Sequence, residues 1–170
     1  MTIDDLINHT GEWLKGTGPQ SHIVMSSRLR LARNIERIPF PAKASKKDLA
    51  EIIKIAKAAF DSSEYFKDAM FLKINEMDAV DQQFLIERHL MSHDHAAIPE
   101  GRAILISKEE ILSIMVNEED HFRIQVMQSG FNLTETWKIT NMIDDILSEK
   151  IPFAFDANWG YLTACPTNTG

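Results

Sequence analysis

Apolar residues recur along the chain at two spacings, and each spacing predicts a different element. Ile3, Leu6, Ile7 and Leu14 fall on one side of a short helix that Thr2 can cap and Gly16-Thr17-Gly18-Pro19 ends. A longer helix is predicted from Ser45, where Asp48 completes a capping box and Leu49, Ile52, Ile53, Ala56 and Phe60 follow the 3.6-residue period. Ala79–Met91 reads as a third helix, with Val80, Phe84 and Leu85 buried. Thr134 opens a fourth, whose inward residues are Ile139, Met142, Ile143, Ile146 and Leu147, and Pro152 bars its continuation.

Elsewhere the pattern is that of strands. Phe71-Leu72-Lys73-Ile74 is one, and Ala103–Ile106 with Ile111–Val116 forms a hairpin around Ser107-Lys108-Glu109-Glu110. From His121 to Gln128 the period is two: His121, Arg123, Gln125 and Met127 alternate with Phe122, Ile124, Val126 and Gln128, which predicts a half-buried strand. Residues 22–34 read as extended or irregular, and Pro39-Phe40-Pro41 forbids helix. Phe153–Phe155 and Tyr161–Ala164 are expected as strands around an Asn158-Trp159-Gly160 turn. The expected fold class is α+β, a largely antiparallel sheet flanked by helices.

Composition narrows the functional classes. The chain has 170 residues, 44% of them hydrophobic, and a formal charge of −7, which suits one soluble domain with one sizeable core. No apolar run approaches the roughly 20 residues of a bilayer span, and Met1–Trp13 carries Asp4, Asp5 and Glu12 where a secretory signal would be basic and then apolar. A single cysteine, Cys165, cannot form an intrachain disulfide, and scattered histidines without a second thiol build no structural zinc site. These features argue for a cytoplasmic, reduced protein without a membrane partner.

Three groups of residues stand out chemically. Between His22 and Ala42, Arg28, Arg30, Arg33 and Arg37 face Glu36 alone in an otherwise acidic chain. In an extended segment Arg28 and Arg30 project to one side, with Arg33 just beyond, as a fork for phosphate oxygens. A solvated basic segment is the plainer alternative. Nucleic-acid binding is disfavoured by the net charge and by the lack of a second basic stripe. Asn117-Glu118-Glu119-Asp120-His121 crowds three carboxylates, whose repulsion a solvated turn tolerates or a cation relieves, be it Mg²⁺, a guanidinium or both. Cys165, before Pro166-Thr167-Asn168-Thr169-Gly170, is either a small packed hydrophobe or a thiolate served by donors from the loop 167–170.

Together these segments resemble the phosphagen (guanidino) kinase family. Ser26-Ser27-Arg28-Leu29-Arg30-Leu31-Ala32-Arg33-Asn34 is similar to its nucleotide-phosphate segment, Asn117–Arg123 to its acidic signature, and Cys165-Pro166-Thr167-Asn168 to its reactive-cysteine motif. Within the family, Ile114-Met115-Val116-Asn117 and Trp159–Cys165 look like the bacterial branch that phosphorylates arginine side chains in proteins during stress responses. The arginine motif begins at residue 27, which leaves residues 1–20 as a short N-terminal segment and 21–170 as a partial catalytic domain. That leaves no room for the helical N-terminal domain with which relatives grip free guanidino compounds.

The resemblance implies ATP with Mg²⁺ carried by the nucleotide and no metal bound by the protein alone. It gives Ser27, Arg28, Leu29, Arg30, Leu31 and Arg123 to the nucleotide, and also His89, with His93 and His95 as rivals for that place. It gives Glu119 to the target guanidinium, Glu118 to the Mg²⁺ water shell, and Cys165 to a thiolate beside the guanidinium. Implied partners are protein substrates, an activator protein, Clp-type protease machinery and a second copy in a homodimer. The family continues from its cysteine motif into further strands that carry more phosphate-binding arginines, whereas this chain stops at Gly170. A non-catalytic fragment that binds protein arginine or partner proteins, and a kinase of a free guanidino compound, are therefore kept as alternatives.

Overall fold

The computed structural model describes residues 3–168 and Gly170. Five strands form one fully antiparallel sheet in the order β1-β5-β4-β3-β2, where β1 is Ser26–Arg33, β2 Met70–Lys73, β3 Ala103–Ile106, β4 Leu112–Val116 and β5 Phe122–Ser129. The expected α+β class is what the structure shows. Helices α1 (Ile3–Ile7), α2 (Lys46–Asp61), α3 (Ala79–Glu87), α4 (His93–Ala97) and α5 (Leu133–Ser148) surround it, and a two-residue ladder, β6 (Phe155–Asp156) with β7 (Gly160–Tyr161), precedes the segment that carries Cys165.

Both faces of the sheet are covered, but unequally. On one face Leu31, Leu105, Ile114, Phe122, Ile124 and Val126 pack under α2 and α5, which contribute Ile52, Ala56, Phe60, Ile143 and Leu147. On the other, Met70, Ile104, Ile106, Met115 and Met127 pack with Leu6 of α1, Trp13 and Leu85 of α3. That second layer sits on β2, β3, β4 and the Met127 end of β5. The β1–β5 end of the same face is left to Arg28, Arg30, Gln125 and Arg123, because register pairs Arg30 with Gln125 and Ala32 with Arg123. Burial on both sides also makes β5 more buried than its alternation predicts, with only Arg123 and Gln128 partly exposed.

Helix α2 carries the expected capping box: Ser45 Oγ accepts from Asp48 N and the Asp48 carboxylate accepts from Ser45 N. Other elements differ from expectation. The first helix stops at Ile7, Glu12–Leu14 forms a separate 3₁₀ turn, and Trp13 rather than Leu14 enters the core. The cap expected at Thr2 lies outside the described residues. Helix α3 ends at Glu87, because His89 is left-handed (φ 58°) and the Leu90 N–H returns to Leu85 O, a Schellman-type stop. Val80, expected inside, is 77% exposed. Helix α5 starts at Leu133 after Asn132, two residues ahead of the expected Thr134 cap.

Candidate active site

Three guanidinium groups gather on the open end of the sheet. Arg28 and Arg30 are exposed on β1 and, among the described residues, have no ion-pair partner. Burial, then the charges of Arg28 and Arg123, lower the Arg30 pKa below the usual arginine value, with Glu118 acting against them. Arg30 and Arg123, together with Thr167, Asn168 and Gly170, border a cleft of about 300 Å³. Like charges converging on a polar cleft make a place where an anion is stabilised.

Of the other residues expected at the nucleotide, Ser27 is buried, with its Oγ donating to Gly130 O (2.8 Å) and accepting from Asn132 N (2.8 Å), so its hydroxyl fixes the turn into α5. Leu29 and Leu31 alternate away from Arg28 and Arg30, and Leu31 joins the core while also bordering the cleft. Arg33 departs from the expected fork altogether. It lies on the opposite face, 4% exposed, with Nε and Nη2 on the two Asp144 carboxylate oxygens at 2.8 Å and its guanidinium 3.5 Å from the Tyr161 ring centroid. Strand alternation sends odd positions of β1 to the core, and a cation there requires a buried partner.

His89 stays at the margin of the arginine surface. Its ring is edge-on to Trp13, and its carbonyl accepts from Gln125 Nε2 (2.7 Å), the residue paired with Arg30. His93 is exposed on α4. His95 is fully buried, its Nε2 3.0 Å from Ala103 O, and burial pushes its pKa down to about 3. Because the folded state holds this ring neutral, the unfolded chain binds the extra proton as pH falls below about 6.5. Stability should therefore drop by roughly 1.4 kcal/mol per pH unit below that point, levelling near pH 3. Urea unfolding at pH 7.5 and 5.5 checks this, and His95→Gln, which keeps a donor for Ala103 O, should reduce the difference, the remainder coming from His121, whose pKa burial also lowers.

The acidic loop resolves its repulsion with an internal cation. Arg123 Nη1 lies 2.8 Å from Glu118 Oε2 and Nη2 3.0 Å from Glu119 Oε2. Glu118 is buried and also accepts from Ser92 Oγ (2.6 Å), so both its oxygens are committed within the protein. The side chain of Glu119 is 44% exposed and, among the described residues, its Oε1 has no partner. Asp120 turns inward: its Oδ1 accepts from Asn34 Nδ2 and Ala164 N, both at 2.6 Å.

That buried pair brings the cysteine to the loop. Asn34 also donates to Leu162 O (3.0 Å) and accepts from His121 N (2.9 Å), so one amide joins the end of β1, the acidic loop and the segment before Cys165. Asn168 N donates to Cys165 O (3.0 Å), while its Nδ2 is 3.4 Å from Glu119 Oε2, linking the cysteine loop to the exposed carboxylate. Cys165 Sγ is 2.9 Å from Thr167 Oγ1. Of the loop expected to supply donors, Thr169 lies outside the described residues. Asn34, Asp120 and Ser92 went unassigned in the sequence. The one signal for Asn34 and Asp120 was their place inside the two quoted motifs.

A sequence profile described as the ATP:guanido phosphotransferase C-terminal catalytic domain matches residues 51–170. The chain belongs to the ATP:guanido phosphotransferase family. Relatives in this family include the protein-arginine kinases of Halothermothrix orenii, 43% identical over 171 residues, and Symbiobacterium thermophilum, 44% identical over 174 residues. Each alignment takes in 100% of this chain and 49% of the relative, so the chain spans about half the length of the curated relatives it matches. Among solved structures, the duplicated taurocyamine kinase of Schistosoma mansoni with bound transition-state-analogue components superposes with a TM-score of 0.81 at 26% identity, over 98% of this chain and 24% of that one. Lombricine kinase shares the fold, with a TM-score of 0.78 at 21% identity over 98% of this chain and 49% of that one. The arginines of β1 precede the span matched by the family profile but fall within both protein-arginine kinase alignments. No helix among the described residues is long and apolar enough to cross a membrane.

Proposed function

We propose that the chain is the nucleotide- and guanidinium-holding part of an ATP-dependent kinase of arginine side chains in proteins. The observation that carries this reading is the pairing of two sites along one edge: unpaired Arg28 and Arg30 beside Arg123, and the open Glu119 oxygen next to the Cys165 loop. Phosphoryl transfer asks a protein mainly for alignment and charge neutralisation, and the arginines supply both to the ATP phosphates. Among the described residues no group of three or more His, Cys, Asp or Glu side chains is arranged to hold a metal. Mg²⁺ would be carried by the nucleotide, as the family resemblance implies, and would lend its phosphates charge neutralisation.

A protein guanidinium carries its charge above pH 12 and attacks poorly until it is polarised and loses a proton. In this reading Glu119 Oε1 accepts its N–H and Cys165, on the same loop junction, is the second acceptor. Glu118 acts one step back, fixing Arg123 between the anion and Glu119. The relatives' names point to protein substrates, and the stress-response role, a cytoplasmic location, an activator, a protease partner and a homodimer belong to the same proposal. Binding of protein arginine without transfer is the second reading, since the exposed Glu119 oxygen by itself asks only for a guanidinium.

The test compares the chain alone with a chimera in which it is followed by the half of the Halothermothrix orenii relative that it does not match. With labelled MgATP and casein, the chimera should form acid-labile phosphoarginine. Acid-stable label on Ser or Thr would overturn the arginine assignment, and faster turnover of free arginine than of casein would move the substrate to small guanidino compounds. In either protein, Arg28→Ala should weaken MgADP binding by about 1.5–3 kcal/mol, the worth of a hydrogen bond to a charged group, or roughly ten- to a hundredfold by calorimetry.

A further inference from the structure

A cavity of about 540 Å³ lies outside the candidate active site, between α2 and the segment 98–102. Leu49, Ala50, Ile53 and Ile98 line it with apolar surface, and Ile98 is 59% exposed. Lys46, Lys54, Lys73 and Arg102 border it with one acid, Glu100. Lys73 is paired with Glu76 (2.8 Å) and Arg102 donates to the Asp94 and His95 carbonyls, which leaves Lys46 and Lys54 as the rim's available cations. Lys54 makes only a 3.7 Å contact with Glu51, and Lys46 has no ion-pair partner among the described residues. The volume is that of a small-molecule pocket, and an apolar floor under a cationic rim complements an apolar body with one anionic end.

The cavity also touches the acidic loop. Asn117, left-handed at φ 64°, donates from Nδ2 to Leu49 O (3.0 Å) on one wall and to Gly101 O (2.8 Å) on the other. Glu118 and Glu119 follow directly. The walls already meet closely, since a Cβ on Gly101 would come within 3.1 Å of Leu49. Arg102 borders both this cavity and a second cleft, of about 280 Å³, shared with Asp94, Glu118, Glu119 and Arg123. A guest that parts the walls must lengthen one of the Asn117 bonds or move the loop.

We propose that this cavity binds a small apolar carboxylate, an alkyl or aryl group with one anionic end, and that its occupancy is transmitted through Asn117 and Arg102 to Glu118 and Glu119. The inference stands independently of the reaction the loop serves. The isotope-labelled chain is titrated with sodium octanoate, with octanamide and acetate as comparisons, and followed by amide NMR. Saturable shifts should appear in α2 and residues 98–102, and in the Asn117 side chain and the Glu118 and Glu119 amides, with a Kd below about 1 mM and octanamide about tenfold weaker. Ala50→Trp, at an exposed helical position, should fill the cavity and abolish binding. Lys46→Glu with Lys54→Glu should weaken it about tenfold or more. Equal binding of octanamide, absence of saturation at about 10 mM, or binding that survives Ala50→Trp would overturn the site. Saturation with shifts confined to the cavity walls would overturn the coupling.

Discussion

Glu119→Gln is expected to lower phosphoarginine formation by about 10²-fold or more while leaving nucleotide affinity nearly unchanged. The substitution keeps size and hydrogen-bonding capacity but removes the charge that would polarise an incoming guanidinium, and losses of that order follow removal of one preorganised electrostatic contact. Geometry separates this residue from its neighbour. Glu118 already gives both oxygens to Arg123, Ser92 and the Glu119 backbone, whereas Glu119 keeps one oxygen open and is held at the other by Arg123 and Asn168. Glu118→Gln should therefore loosen Arg123 and raise the KM for ATP, whereas Glu119→Gln should act on kcat. Single-turnover kinetics of the chimera decide the matter. A Glu119→Gln protein that lost nucleotide affinity but kept its rate at saturating ATP would place the carboxylate with the nucleotide. Cys165→Ser tests the second acceptor in the same assay, with a comparable loss expected if the thiolate takes part.

Much of the scaffold was legible because its signals are local. The capping box at Ser45, the period of α2 and the hairpin of β3 with β4 each fit within a few residues, and tertiary packing reinforced them. Periodicity alone joins Leu6 to Leu14 across His9-Thr10-Gly11, whereas the structure divides this stretch into Ile3–Ile7 and Glu12–Leu14. In the structure Gly11 sits so close to Glu110 that a side chain there would meet its carboxylate, and a break at this point lets Trp13 reach the core. Val80 followed the helical spacing yet found no surface to cover, which no local pattern can report.

At the candidate site, residue types and motif order were readable, but the division of labour was not. Three crowded carboxylates signalled a need for cations, and the structure meets it in two ways: Arg123 between Glu118 and Glu119, and burial of Asp120 against Asn34 and Ala164. Such partners lie far apart in sequence, Asn34 and Asp120 by 86 positions, and only the pairing of β1 with β5 brings them together. Ser27 shows the same limit. Its place in the motif suggested phosphate, while register commits its hydroxyl to the turn before α5.

Arg33 supplies the largest expected effect on stability. Arg33→Met should destabilise the fold by about 3–5 kcal/mol in urea unfolding, because it leaves the Asp144 carboxylate buried without its bidentate partner. That is a large share of the roughly 5–15 kcal/mol that holds a domain together. The double variant Arg33→Met with Asp144→Leu should recover most of the loss, since apolar residues of similar volume replace a buried ion pair at little cost. Recovery would not restore everything, however. The Arg33 guanidinium also stacks on Tyr161, in the ladder that leads to Cys165, and Gly170 lies against the same two side chains. A double variant that regains stability but not arginine phosphorylation would mean that the pair serves to hold the cysteine segment against β1. One that regains both would reduce Arg33 to a solution for a charge on the buried face of a strand.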